Sequence, residues 1–167
     1  MRSHSVATVF DPLTPAAQRV QDVLTTRGFP YAVIESPQPT RTAAEAAKLV
    51  GAEVGQIAKS LVFKTAQTGR PLLVITSGAN QVNEFRIGML LREALAKAPA
   101  AFVRQVTGFA IGGVPPIGHG QSLETFIDQD LLKYPEIWAA AGTPNALFKL
   151  ASKDLVTMTG GRVVKVT

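Results

Sequence analysis

Lys59 is the first residue in the chain whose setting poses a chemical question. It lies in the run Gln56-Ile57-Ala58-Lys59-Ser60-Leu61-Val62-Phe63-Lys64-Thr65, whose β-branched and aromatic content predicts a strand. Side chains alternate along a strand, so Lys59 shares a face with Ile57, Leu61 and Phe63, while Ala58, Ser60, Val62 and Lys64 share the other. An ammonium on the more apolar face is costly if it is buried without a partner. Two arrangements meet that cost: the lysine snorkels to an edge with its stem packed, or it meets a carbonyl or anionic group that needs it.

The second feature is Gly112-Gly113-Val114-Pro115-Pro116-Ile117-Gly118-His119-Gly120. Four glycines and two prolines in nine residues exclude helix and central strand and leave a shaped loop. Such a backbone can approach a ligand closely, and its exposed N–H groups can hold a carbonyl oxygen or an oxyanion. A plain surface turn has the same composition. The loop is no P-loop, because the Gly-x-x-x-x-Gly-Lys-Ser/Thr spacing is absent. His119 within it could serve as a base or a phosphate ligand, or simply stand exposed.

What the chain lacks narrows the chemistry further. With no cysteine, disulfides, thiolate metal sites and a cysteine nucleophile are excluded. The only histidines are His4 and His119, and acidic residues do not cluster, so neither a metal nor another cofactor is expected. A Gly-x-Ser-x-Gly nucleophile elbow is also missing. An enzyme built from these residues would work by positioning and electrostatics rather than through a side-chain nucleophile.

These residues must be held by a scaffold, and the hydrophobic pattern supplies one. Residues 1–11 have no periodicity and read as a loose tail of a single domain spanning 1–167. Thr14 and Pro15 open a helix that Gly28 closes, and Tyr31 to Glu35 is a short strand. Thr42 and Glu45 are spaced as a capping box for a helix ending at Gly51. Gln56 to Thr65 and Pro71 to Thr76 form a hairpin, followed by the loop Ser77-Gly78-Ala79-Asn80 and helices over Val82 to Ala98 and Pro99 to Thr107. Beyond the glycine loop come strand Leu123 to Asp128, helix Pro135 to Ala141 capped by Gly142, strand Ala146 to Ala151, a helical turn from Lys153, and strand Val163 to Val166. Short connections without a regular βαβ rhythm give an α+β class: a mixed, largely antiparallel, curved and barrel-like sheet with helices packed outside it.

The formal charge of +5 is unevenly placed. Between Val54 and Leu123 there are seven basic and two acidic residues, and the rest of the chain carries ten of each. That excess suits a phosphate-bearing partner reached by electrostatic steering, and equally a solvated basic face. The start of the chain lacks the pattern of a signal peptide and no stretch is long and apolar enough for a membrane span. A soluble, cytoplasmic protein without a membrane partner is expected.

Several of these segments, in this order, resemble one family. Thr42-Ala43-Ala44-Glu45-Ala46-Ala47, Gln56 to Phe63, Ser77-Gly78-Ala79-Asn80 and Gly112 to Gly118 are similar to the YbaK/ProX family and to the editing insertion domain of bacterial prolyl-tRNA synthetases. The resemblance covers nearly the whole chain from Thr14 onward and is most specific at the Lys-Ser/Thr-Leu-Val strand and the Gly-x-x-x-Pro loop. It implies a deacylase that removes a wrongly attached amino acid from the acceptor end of an aminoacyl-tRNA, with tRNA for proline and a prolyl-tRNA synthetase as expected partners. Lys59 then matches the essential lysine and Gly112 to Pro116 the Gly-x-x-x-Pro loop, the two flanking a small aminoacyl pocket in which the ester is cleaved without a metal. Thr42, Ser77, Asn80, Gly113, Val114, Pro115, Pro116, Gly118 and His119 are the expected substrate-binding residues, with Lys59 and Gly112 catalytic. A noncatalytic nucleic-acid-binding module on the same fold, or an esterase for small aminoacyl esters, are the alternatives.

Overall fold

The computed structural model describes residues 12–167, so the tail expected at 1–11, with His4, lies outside the described part. In chain order the elements are α1 (Pro15–Thr26), β1 (Val33–Glu35), α2 (Ala43–Val50), β2 (Ile57–Thr65), β3 (Pro71–Ser77), α3 (Glu84–Leu91), β4 (Leu95–Lys97), α4 (Ala100–Thr107), β5 (Glu124–Asp128), β6 (Glu136–Ala140), β7 (Ala146–Ala151), α5 (Ser152–Thr159) and β8 (Arg162–Val164). Single 3-10 turns at Val54–Gln56 and Gln129–Lys133 precede β2 and follow β5.

Among the described residues the eight strands share one sheet, in the order β1-β7-β6-β2-β3-β5-β8, with β4 pairing β2 off that path. The β1–β7, β6–β7, β2–β3 and β2–β4 pairs are antiparallel, and β2–β6, β3–β5 and β5–β8 are parallel. The expected α+β class and mixed, largely antiparallel sheet are therefore present, and the sheet stays open with β1 and β8 at its edges.

Local sequence explains most boundaries. In α1 the apolar residues Ala17, Val20 and Leu24 recur at helical spacing and are buried, behind a proline in the first turn. At α2 the Thr42 hydroxyl accepts from the Glu45 N–H at 3.1 Å, while the Glu45 carboxylate reaches back one residue further than a capping box requires, to the Arg41 N–H at 2.6 Å. Gly51 then ends the helix in the left-handed region at φ 68°.

Two expected helices are corrected. The segment Val82 to Ala98 is not one helix: α3 stops at Leu91, Arg92 takes φ 58°, and Leu95 to Lys97 pairs with Phe63 to Thr65. The helix-favouring residues there yield to the free backbone groups of the β2 edge, which β4 satisfies. The segment Pro135 to Ala141 is not helical either but contains β6, inserted between β2 and β7. Ile137 and Ala139 are buried and their neighbours less so, a period of two that a six-residue window of alanine and tryptophan conceals. Gly142 is accordingly no helix cap. It has φ 104° and packs so tightly on α1 that a Cβ would lie 2.6 Å from the Ala16 carbonyl oxygen. The turn from Lys153 is longer than expected, forming all of α5.

Each face of the sheet carries its own packing. The largest core gathers Ala58, Leu73, Ile75, Ile127, Ala139 and Phe148 beneath α1, α4 and α5. On the opposite face α2 covers Ile57, Trp138 and Leu147, and α3 covers Leu72, Val74, Phe126 and Phe63. The Lys59 face is thus apolar but holds two separate clusters rather than the main core, because among the described residues three of the five helices, the twelve-residue α1 included, cover the other side.

Candidate active site

Lys59 stands opposite Thr76 on β3 and is exposed. By strand alternation it emerges between the α2 cluster, which includes Ile57, and the α3 cluster, which includes Phe63. Among the described residues it takes part in no ion pair. Its strand is also open at this point. On one edge β2 pairs β6 only through Ile57 and Ala58, and β4 only from Phe63 to Thr65, so Lys59 to Val62 have no ladder partner there. Next to Lys59, on the other face, the Ser60 hydroxyl oxygen is buried with no hydrogen-bond partner. Sequence reasoning passed Ser60 over; its only signal was its place in the Lys-Ser-Leu-Val run.

The glycine loop is pinned where β6 ends. Gly113 N–H donates to the Ala110 carbonyl at 3.0 Å, and the Gly113 carbonyl accepts from Gly142 N–H at 2.9 Å. Gly112 is exposed with φ 90°, whereas Gly113, Val114, Pro115, Pro116 and Ile117 are buried. The N–H groups of Gly112 and Val114 have no acceptor among the described residues; Val114 is buried, whereas the exposed Gly112 leaves its N–H available to an oxygen from outside.

A run of contacts links this loop to Lys59. A Cβ on Gly112 would lie 3.8 Å from Pro144, whose carbonyl accepts from the Thr40 N–H at 2.9 Å and the Thr40 hydroxyl at 3.0 Å. Thr40 leads into Thr42, the exposed N-cap of α2. Ala43 packs on Gly78, where a Cβ would lie 2.7 Å from its own. Gly78 N–H in turn donates to the Ile57 carbonyl at 2.7 Å, two residues before Lys59. These contacts tie the glycine loop to β2 through the N-terminal end of α2 and the turn after β3.

Ser77 and Asn80 are turned inward at the end of β3. The Ser77 hydroxyl donates to the Gly55 carbonyl at 2.8 Å, and its N–H donates to Asp128 at 3.0 Å. The Asn80 amide donates to Asp128 at 2.9 Å and to Asp130 at 2.8 Å. Asp128, which no sequence motif singled out, is buried and also accepts from Thr76 Oγ1 and the Asp130 N–H. It organises the Ser77–Asn80 turn that borders the Lys59 face. Gly118, which lies close to Val23 of α1, and His119, whose ring bonds the Pro115 carbonyl, are placed away from Lys59 together with Pro116. They line a concavity of about 340 Å³ with Arg27, Gln121, Ser122 and Thr159, and another of about 410 Å³ lies beside α3; neither takes in Lys59 or Gly112. No group of three or more His, Asp or Glu residues is arranged for a metal among the described residues.

The turn beneath the loop has an electrostatic tie. Glu35 accepts from Thr14 N–H at 2.8 Å, Thr14 Oγ1 at 2.7 Å and Thr143 Oγ1 at 3.2 Å. Burial pushes its carboxyl up, but those hydrogen bonds outweigh it and hold it below the usual 4.5. A carboxyl lowered on folding adds stability that is complete above its unfolded value and disappears as pH falls through the folded one. Thermal unfolding is therefore expected to show lower stability below the usual 4.5, and Glu35→Gln should flatten that acid limb. A limb equally steep in the variant would contradict this.

The chain belongs to the aminoacyl-tRNA editing domain family, whose model matches residues 37–158. It is 50% identical to a crystal structure described as "a putative trans-editing enzyme for prolyl tRNA synthetase", with a TM-score of 0.89 over 93% of this chain and 99% of that one. It is 24% identical over 127 residues to the "Putative Cys-tRNA(Pro)/Cys-tRNA(Cys) deacylase EbsC" of Enterococcus faecalis, covering 75% of this chain and 77% of that protein. It is also 34% identical over 89 residues to a proline–tRNA ligase of Bacillus licheniformis, covering 53% of this chain and 15% of the ligase. Among the described residues no helix is long and apolar enough to cross a membrane.

Proposed function

We propose that this single-domain chain is a free-standing, metal-independent deacylase that hydrolyses the ester between a small, wrongly attached amino acid and the terminal ribose of tRNA, in the first place tRNA for proline. The observation that supports this reading is the unpaired edge of β2, where Lys59 stands exposed, within a chain of the editing-domain family; the exposed Gly112, whose N–H has no acceptor among the described residues, would face the same ester. Water attacks the ester carbonyl, negative charge gathers on its oxygen, and the ribose hydroxyl leaves as the carboxylate forms. The Gly112 N–H would meet that oxygen, and the Lys59 ammonium would hold a phosphate or the carbonyl of the acceptor end. Thr42, exposed at the N-cap of α2, would border the acyl group, with the buried Gly113, Pro115 and Pro116 supporting the loop from within. The exposed Arg86 and Arg92, in and just after the helix α3 that covers the Lys59 face, and Lys97 of β4 offer basic groups suited to the RNA backbone. The absence of cysteine fits a cytoplasmic setting, where a prolyl-tRNA synthetase would supply the substrate.

Incubation with tRNA for proline charged with alanine, cysteine, serine or threonine tests the reading. At least one is expected to lose its amino acid roughly tenfold faster or more than in buffer, an effect well within what electrostatic positioning supplies. If none does, and the protein only binds tRNA with steep salt dependence, the binding-module alternative stands instead.

A further inference from the structure

We propose that His119 is a positioning residue: its imidazole holds the Pro115 carbonyl, keeping that oxygen away from the substrate and fixing the Gly112–Pro116 loop so that the Gly112 N–H can meet the substrate. This rests on the deacylase reading above but assigns His119 a role away from the substrate.

The geometry begins with the two prolines. Neither Pro115 nor Pro116 has an N–H, so this half of the loop cannot be fixed by donating backbone hydrogen bonds. The Pro115 carbonyl is buried with its residue and would otherwise be an unsatisfied acceptor, which is costly enough to drive the peptide to rotate toward water or toward the substrate. His119 Nε2 lies 2.6 Å from that oxygen. A carbonyl only accepts, so the proton sits on Nε2. Gly118 makes the reversal possible: it has φ 85° and approaches Val23 of α1, where a Cβ would lie 3.5 Å from Val23 Cγ2, and the chain doubles back to bring the ring under Pro115. Burial pushes the imidazole below its ordinary value, with the Pro115 carbonyl opposing, which favours the neutral ring. The loop is thereby pinned by one carbonyl at each half, Gly113 on Gly142 N–H and Pro115 on His119. A carbonyl turned toward a developing oxyanion would repel it, so holding both away is worth transition-state energy without any contact to substrate.

Three variants and one spectroscopic readout test this. His119→Ala is expected to lower kcat for deacylation by about tenfold to a hundredfold with KM within about twofold, since the loop's alignment counts in the transition state more than in binding. His119→Gln keeps an uncharged N–H donor at similar reach and should recover most of that loss; His119→Phe, which fills the space without a donor, should not. A His119→Ala variant with wild-type kcat overturns the proposal, and so does a Gln variant as inactive as Ala, which would make the imidazole itself an acid, base or ligand of the substrate. In the protein without substrate, NMR should find the imidazole proton on Nε2, and His119→Gln should keep the amide resonances of Gly112, Gly113 and Val114 near wild-type positions while His119→Phe shifts them and speeds their exchange. Amides indifferent to both changes, or a proton on Nδ1 instead, also overturn it, even if His119→Ala does not fold. If the wild type hydrolyses no aminoacyl-tRNA, the deacylase reading fails while the NMR arms still decide the clamp.

Discussion

Lys59→Ala is expected to reduce kcat/KM for deacylation by about a hundredfold to a thousandfold while leaving the melting temperature within a few degrees of wild type. The asymmetry follows from where the residue stands. Lys59 is exposed, enters no ion pair among the described residues, and lies between two apolar clusters without belonging to either. Removing an exposed, unpaired ammonium leaves no buried group orphaned, so the folded state loses little. On the proposed reading the substrate, by contrast, loses a charge aimed at a phosphate or carbonyl, beside the β2 edge that lies away from β3 and has no strand at this point. Lys59→Arg keeps the charge but replaces a compact point donor by a planar fork, and should recover only part of the rate. Single-turnover hydrolysis by the three proteins, with unfolding measured alongside, checks the prediction. A Lys59→Ala protein that is fully active, or one that is inactive because it has unfolded, would contradict it.

The chain displays its chemically distinctive residues more clearly than its sheet. Lys59 and the glycine loop are chemically conspicuous wherever they fall, and the hairpin, α1 and α2 carry local signals strong enough to survive folding. What local pattern could not convey was the partnering of strands distant in sequence. Leu95 to Lys97 is a strand only because β6 leaves the β2 edge after Ala58 and exposes backbone groups further along. Glu136 to Ala140 is a strand only because β2 and β7 flank it. Neither fact resides in the segment itself, where alanine and leucine favour helix.

The same gap explains what was hidden in the site. Strand alternation placed Lys59 on the face with Ile57 and Phe63, and that is where it lies, but alternation does not say which helices cover a face. Asp128 ends the apolar run Phe126-Ile127, where an isolated acid reads as a surface residue; only the arrival of Thr76, Ser77 and Asn80 from β3 and its turn makes it a buried acceptor. His119 was recognisable as an unusual loop residue, yet its bond to Pro115 depends on the chain reversal at Gly118.

Gly113→Ala should be the most damaging single-methyl change in the loop, destabilising the protein by about 3 kcal/mol and lowering its melting temperature by roughly 6–12 °C. The added Cβ would lie 2.7 Å from the Gly142 carbonyl oxygen, 2.8 Å from its carbon and 2.8 Å from Thr143 Cα. These are backbone atoms, and they cannot retreat, because a Cβ on Gly142 would itself be 2.6 Å from the Ala16 carbonyl: the turn is already pressed against α1. Accommodation must therefore push the loop outward, stretching the 2.9 Å bond from Gly142 N–H to the Gly113 carbonyl and displacing Gly112 and Val114. Gly112→Ala is the control. Its φ of 90° makes a side chain strained, at about 1–2 kcal/mol, but its Cβ meets nothing nearer than Pro144 at 3.8 Å. The two variants should separate in thermal unfolding, with Gly113→Ala the less stable, and deacylation measured below both transitions should be lost further in Gly113→Ala, since only there must the anchor between loop and sheet give way. Equal melting temperatures for Gly113→Ala and wild type would mean that the turn yields after all, and the rigidity on which the loop's alignment depends would have to come from elsewhere.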